Sequence, residues 1–227
     1  MGVGPETHGP DPPSRLSRRS VTTLAWIIAP RPGDAKPDII LAMAPIYTGK
    51  GDDGFTGLSG GGRVPKHHPR VDACGAVDEA SAALGLARAQ AASQVTKDVL
   101  LQVQHDLYRL MAEIAAAGEG KATGARLDVS RVEWLEQEIE RFSGLVSLPK
   151  GFVMSGDSVG EATLDLGRTI VRRAERLAAR LSHEGFLENP HLLRYLNRLS
   201  TLCFCLSLWE NEQAGVTKPS LATPDQP

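Results

Sequence analysis

Apolar positions between residues 69 and 213 recur at three- and four-residue spacing, so the chain reads as helices rather than strands. A first helix is expected over about 69–92, with Cys74, Val77, Ala80, Leu84, Ala87 and Ala91 on one stripe and Asp78 at its edge. A carboxylate beside such small residues calls for a partner, and an arginine is the natural one. A second helix, about 97–117, carries Val99, Val103, Leu107, Leu110 and Ile114, with Thr96 placed to cap it. Gly118, Gly120 and Gly124 mark a loop, after which a Ser130-x-x-Glu133 capping box opens a third helix bearing Val132, Leu135, Ile139 and Phe142. A loop over 143–157 leads to a second capping box, Ser158-x-x-Glu161, and a fourth helix of about 159–182. Asn189-Pro190 combines an N-cap with a proline at the first helical position. It launches a fifth helix to about 213, with Leu192, Leu196, Leu199, Cys203 and Leu206 inward. Five helices, mostly short connections and no convincing strand define an all-α, five-helix up-and-down bundle.

The flanks lack this period. Residues 1–44 hold seven prolines and a basic cluster, Arg15, Arg18 and Arg19, ahead of a short apolar run cut by Pro30 and Pro32. They are expected to be a disordered extension. A targeting peptide is the less favoured reading, because Glu6 and Asp11 are present, and Met43-Ala44-Pro45 would make a sensible natural start. The bundle domain is expected over 45–214, and the tail 215–227, with three prolines, to be loose.

Composition narrows the functions. The charged fraction of 23% and net charge of −2 suit a globular protein and give no support to general nucleic-acid or membrane binding, so any polyanion site must be local. Cys74, Cys203 and Cys205 are odd in number and lack metal-ligand spacing, which points to buried thiols in a reducing, cytoplasm-like compartment.

Two stretches could form such a local site. Residues 46–66 contain seven glycines, which let backbone N–H groups crowd around an anion, while Thr48, Lys50, Thr56 and Lys66 add hydroxyl and ammonium donors. The pattern is neither a P-loop nor a dinucleotide fingerprint. On the fourth helix, Arg168, Arg172, Glu175 and Arg176 share one face, and Leu166, Ile170 and Leu177 share another. Guanidinium groups braced by carboxylates suit a nucleotide phosphate chain, though a solvated face of i,i+3 and i,i+4 pairs would look the same.

Three motifs in order resolve that ambiguity. Tyr47-Thr-x-x-Gly-Asp-x-Gly-x-Thr56 with Gly60-Gly-x-Arg63-Val-x-Lys66, His68-Pro69-Arg70-Val71 and Val77-Asp78-Glu79 comes first. Phe152 to Ser158 with Arg168-Thr-x-x-Arg172-Arg-Ala-Glu-Arg176 is second, and Arg194-Tyr-Leu-Asn197-Arg-Leu-Ser200 with Trp209-Glu-Asn211 is third. Over about residues 45–213 the chain resembles the PduO-type ATP:cob(I)alamin adenosyltransferases.

The resemblance implies a trimer with ATP between neighbouring subunits and cobalamin above it. It places Thr48, Gly49, Lys50, Gly51, Asp52, Thr56, Gly57 and Lys66 about the phosphates, and Arg172, Arg173, Ala174, Glu175, Arg176 and Asn197 around the rest of the ATP. It pairs Arg168 with Asp78 of the adjacent subunit and sets Phe152 beneath the corrin ring, where it would exclude a lower axial ligand. The implied reaction is attack of cobalt(I) on the 5′ carbon of ATP with triphosphate leaving, Mg²⁺ being held by the phosphates rather than by protein side chains. Implied partners are a flavin-type reductase and a cobalamin-dependent acceptor enzyme.

The chain departs from the family pattern at Gly49, where a basic residue is usual, and at Asp157, which replaces a glycine. Thr201 and Leu208 stand where the family has Asp and Arg. These departures keep an alternative open, a weakly catalytic paralogue acting as an ATP or cobalamin escort or sensor. Arg173, on the turn nearest Ile170 and Leu177, is expected to be the least exposed arginine and to need a buried partner.

Overall fold

The computed structural model describes residues 1–2, 47–59, 61–116 and 126–223. The proposed extension 1–44, apart from its first two residues, lies outside them, as do Gly60, Gly118, Gly120 and Gly124. A two-stranded antiparallel hairpin, β1 (Phe55–Gly57) and β2 (Arg63–Pro65), precedes five helices: α1 (Pro69–Gln90), α2 (Gln94–Ala115), α3 (Val129–Ser143), α4 (Val159–His183) and α5 (Pro190–Gln213). The expectation of no convincing strand is corrected by this short hairpin. Glycines weaken a strand without forbidding a three-residue exposed one.

The helices pack side by side in the order α2, α1, α4, α5, α3, with α2 also touching α5. Each expected inward stripe contributes to one core, from Val77, Leu84 and Leu107 through Leu135 to Leu196 and Leu206. On α4, however, the core face is Leu164, Gly167, Val171, Ala174, Ala178 and Leu181, and Leu166 is half exposed. The apolar stripe expected at Leu166, Ile170 and Leu177 is only the margin of that face. Close approach of α4 to α1 demands small residues: a methyl on Gly167 would lie 2.8 Å from Leu84 Cδ2.

Buried carboxylates fix the connections. Asp106 on α2 accepts from Arg131 at 2.7 Å and from the Tyr195 hydroxyl at 3.0 Å, joining α2, α3 and α5. Glu113 accepts from the Leu127 N–H and from Asn189 Nδ2, and Glu210 from the Ala92 N–H at 2.6 Å. Fully engaged acceptors of this kind make burial of the charge tolerable and hold the loops in one arrangement.

Helix starts were partly legible. Ser158 and Asn189 cap α4 and α5 as expected. Helix α2 begins earlier, after Ser93, and Thr96 is fully buried inside it. The cap of α3 is Asp128, whose carboxylate accepts from the Ser130 N–H at 3.0 Å. An aspartate two residues ahead of the serine is the stronger acceptor, and Ser130 donates to it instead of capping. Residues 216–222, expected to be loose, return along the loop before α4, where Val153 bridges Leu221.

Candidate functional site

The glycine-rich loop is a braced turn. Gly49 and Gly54 take φ values of +65° and +79°, which L side chains rarely adopt, and the Asp52 N–H closes a turn on Gly49 O at 3.1 Å. Arg63 then spans the loop as a fork, donating to both Asp53 oxygens at 2.7 and 2.8 Å and to Lys50 O at 2.5 Å. The Arg63 guanidinium holds the Asp53 carboxyl below the usual carboxylate range. Lys66 lies over the turn: a methyl on Gly51 would be 3.1 Å from Lys66 Nζ, so glycine leaves room for the ammonium. Thr48, Lys50 and Lys66 are exposed, and Thr56 and Gly57 sit in the hairpin opposite Val64 and Arg63.

The loop is fastened to the C-terminal end of α2, where the Ser59 N–H donates to Ala115 O at 3.0 Å. Arg70 donates to Ile114 O and Ala116 O, both at 2.8 Å, and to Phe186 O at 2.7 Å, satisfying carbonyls at the negative end of α2. His68 caps α1 by accepting from the Arg70 N–H.

The arginine helix presents a different surface. Arg168 is paired within its own helix to Asp165 at 2.6 Å. Asp78 is exposed and makes no salt bridge among the described residues. Arg173 is not the buried member: it is half exposed and pairs with Glu79 on α1. Residue 173 falls beside the margin of α1, not over the core. Ala174 is fully buried against that core, so its side chain is closed to any ligand. Glu175 accepts from Asn197 Nδ2 at 2.9 Å, and Asn197 accepts from Arg198, which also reaches Glu136 on α3. Arg172 and Arg176 are exposed and have no carboxylate partner among the described residues; Arg176 touches only Arg172 O.

Phe152 lies before the N-terminal end of α4 and is 73% exposed. One chain thus holds the expected site residues in three places. No hydrogen bond or salt bridge among the described residues joins the loop 47–66 to α4. The sequence motifs included Arg63 and Arg70 but assigned them no role. Opposite charges at Asp53 and Arg63, flanking a run of glycines, were the available signal for the loop brace.

The fold and these surfaces define a five-helix bundle with a braced glycine loop and, on the outer face of α4, guanidinium groups without a carboxylate partner among the described residues. The profile of the Cobalamin adenosyltransferase family matches residues 46–210. The chain belongs to that family. It is 37% identical over 170 residues to the corrinoid adenosyltransferase PduO of Citrobacter freundii, covering 74% of this chain and 50% of the relative. The chain spans about half the length of that relative and of its Salmonella typhimurium counterpart. A corrinoid adenosyltransferase of Mycobacterium tuberculosis is 39% identical over 177 residues, covering 75% of this chain and 91% of the relative. A variant PduO-type ATP:corrinoid adenosyltransferase from Lactobacillus reuteri, solved complexed with cobalamin and ATP, superposes with a TM-score of 0.72 at 29% identity, covering 78% of this chain and 98% of that one.

Proposed function

We propose that this chain transfers the 5′-deoxyadenosyl group of ATP to cob(I)alamin, yielding adenosylcobalamin and triphosphate. The observation that carries the reading is the pair of exposed guanidinium groups at Arg172 and Arg176, which have no carboxylate partner among the described residues, on a chain of this family. The separate location of the braced loop supports a site completed between subunits, with Thr48, Lys50 and Lys66 of one chain facing the arginine helix of another in a homotrimer. Arg168 would then exchange Asp165 for Asp78 of the neighbouring subunit.

In the reaction the cobalt(I) electron pair forms the Co–C bond as the C5′–O bond to triphosphate breaks, and the leaving triphosphate keeps the pair of that C–O bond. Cobalt(I) is itself the nucleophile, so the protein needs no Ser, Cys or His to attack. Its work is to orient two substrates and to stabilise charge accumulating on triphosphate. Arg172, Lys50, Lys66 and Mg²⁺ on the phosphates supply that stabilisation, each donor worth roughly 2–4 kcal/mol. Phe152 packs under the corrin ring and keeps a lower axial ligand away. A reductase provides cobalt(I), a cobalamin-dependent enzyme receives the product, and the cytoplasm is the compartment that suits the free thiols. Among the described residues no helix is long and apolar enough to cross a membrane.

The test is to mix purified chain, ATP, Mg²⁺ and chemically reduced cobalamin and follow adenosylcobalamin by absorbance. Formation well above the uncatalysed rate is expected. Tight ATP binding without turnover would select the escort or sensor reading instead, which the buried leucine at 208, in place of an arginine, favours.

A further inference from the structure

The segment that carries Phe152 is held by residues 220–222 of the tail. The Met154 N–H donates to Ser220 O and the Ala222 N–H to Phe152 O, both at 2.8 Å, with Val153 opposite Leu221 in antiparallel register. The Leu221 side chain covers Gly151, where an added methyl would sit 3.4 Å from its Cδ1. Asp157 closes the arrangement by accepting twice from one residue, from the Ser220 N–H at 2.7 Å and from its hydroxyl at 2.7 Å. Those two donors hold the Asp157 carboxyl below its ordinary range, the backbone N–H contributing most. On the other side the buried Glu161 accepts from the Gly156 N–H at 2.7 Å and the Asp157 N–H at 3.2 Å. Gly156 has φ of +128°, a conformation closed to other residues.

Residues 152–154 are therefore tied along one edge by the tail, and the turn that follows them is tied by Glu161. Val153 is half buried toward Leu221, while Phe152 and Met154 alternate to the exposed side, at 73% and 48% exposure. A free loop would lose conformational entropy on meeting a flat apolar ring, and a latched one has lost it already.

We infer that Asp157 is a positioning residue for the corrin-facing segment, acting through Ser220 to latch residues 220–222 along residues 152–154 so that Phe152 and Met154 stand preorganised. This rests on the assignment of Phe152 to the cobalamin site. The residue that departs from the family's glycine thus has its counterpart in the tail.

The experiment compares Asp157→Ala, Ser220→Ala and Ser220→Thr in the full chain. Loss of two charge-assisted hydrogen bonds is expected to raise KM for cobalamin about tenfold in Asp157→Ala while KM for ATP stays within about twofold. Ser220→Ala should fall between, and Ser220→Thr, which keeps both donors, should match the unaltered chain. The share of bound cob(II)alamin lacking a lower axial ligand, read by absorbance with ATP present, should fall in the same order. Amide exchange at Met154 and Ala222 should quicken in Asp157→Ala. A lowered melting temperature with both KM values unchanged, or both KM values raised together, would overturn the positioning role. If the unaltered chain bound ATP but no cobalamin, the reading of Phe152 would fall and this role with it. The exchange data would still show separately whether the latch forms.

Discussion

Asn197 on α5 donates its side-chain N–H to Glu175 on α4 across 2.9 Å, and its oxygen accepts from Arg198 at 2.8 Å. The Glu175 carboxylate is thereby occupied, and Arg172 and Arg176 keep their charge for an anion. Asn197→Ala should release that carboxylate toward the arginines and weaken ATP binding about tenfold, the equivalent of one charged hydrogen bond. The contact lies at the surface, so the unfolding free energy from urea titration should change by less than about 1 kcal/mol. Calorimetric titration with ATP measures the first effect.

Arg172→Ala and Arg173→Ala should separate cleanly. The first removes a cation that has no carboxylate partner among the described residues, and should abolish measurable ATP binding while circular dichroism and the melting temperature stay unchanged. The second breaks a pair whose side chains are 48% and 58% exposed, a surface ion pair of the kind that contributes about 0–1 kcal/mol. A large loss of stability in Arg173→Ala would restore the buried role expected from sequence.

Arg63→Lys keeps the charge and loses the fork. A point charge cannot span both Asp53 oxygens and Lys50 O, so the glycine turn should loosen. We expect ATP affinity to fall by roughly fivefold to tenfold, in line with the loss of one bidentate contact, with bundle stability unaltered. Equal affinities for Arg63→Lys and the unaltered chain would remove the brace from the account of the loop.

Gly167→Ala tests the α1–α4 contact. A methyl 2.8 Å from Leu84 Cδ2 forces that fully buried side chain to shift, and overpacking of this kind costs about 1–3 kcal/mol. Denaturant unfolding should show the loss, and a variant as stable as the parent would contradict the packing.

Alkaline pH should unfold the protein progressively. Burial pushes the Cys203 thiol up to about 12 and the Cys74 thiol up to about 11, from an ordinary 9.0. Burial and the neighbouring Asp106 push the Tyr195 hydroxyl well above 10. Each group stays neutral in the fold and ionises once unfolded, so its contribution is intact below its unfolded value and lost as pH rises toward its folded one. Stability should therefore decline from about pH 9 upward. Removing Cys203 as Cys203→Ala should flatten that decline by up to ~1.4 kcal/mol per pH unit, whatever the variant's stability at neutral pH.

The helices and their order were legible because the apolar period is strong and the Ser158 and Asn189 caps are local. Elsewhere the local signal competed with one that sequence could not rank. Asp128 outcompetes Ser130 for the α3 cap, and Thr96 is drawn into the core when α2 begins at Gln94. Arg173 was read by its turn of helix, yet whether that turn faces core or solvent depends on where α1 lies. The loop motif was visible, whereas its brace at Arg63 needed the hairpin register to bring residue 63 back over residues 50 and 53.

By itself the sequence determined the five helices, the family pattern and the residue types at each motif, since these follow from periodicity, caps and spacing along one chain. Tertiary structure alone decided which arginines keep their charge free, because partners such as Glu79 and Asn197 approach from other helices. It also decided that residues 220–222 are bound. Ser220 and Asp157 are 63 residues apart, and nothing in local propensity can bring a donor and acceptor together over that distance.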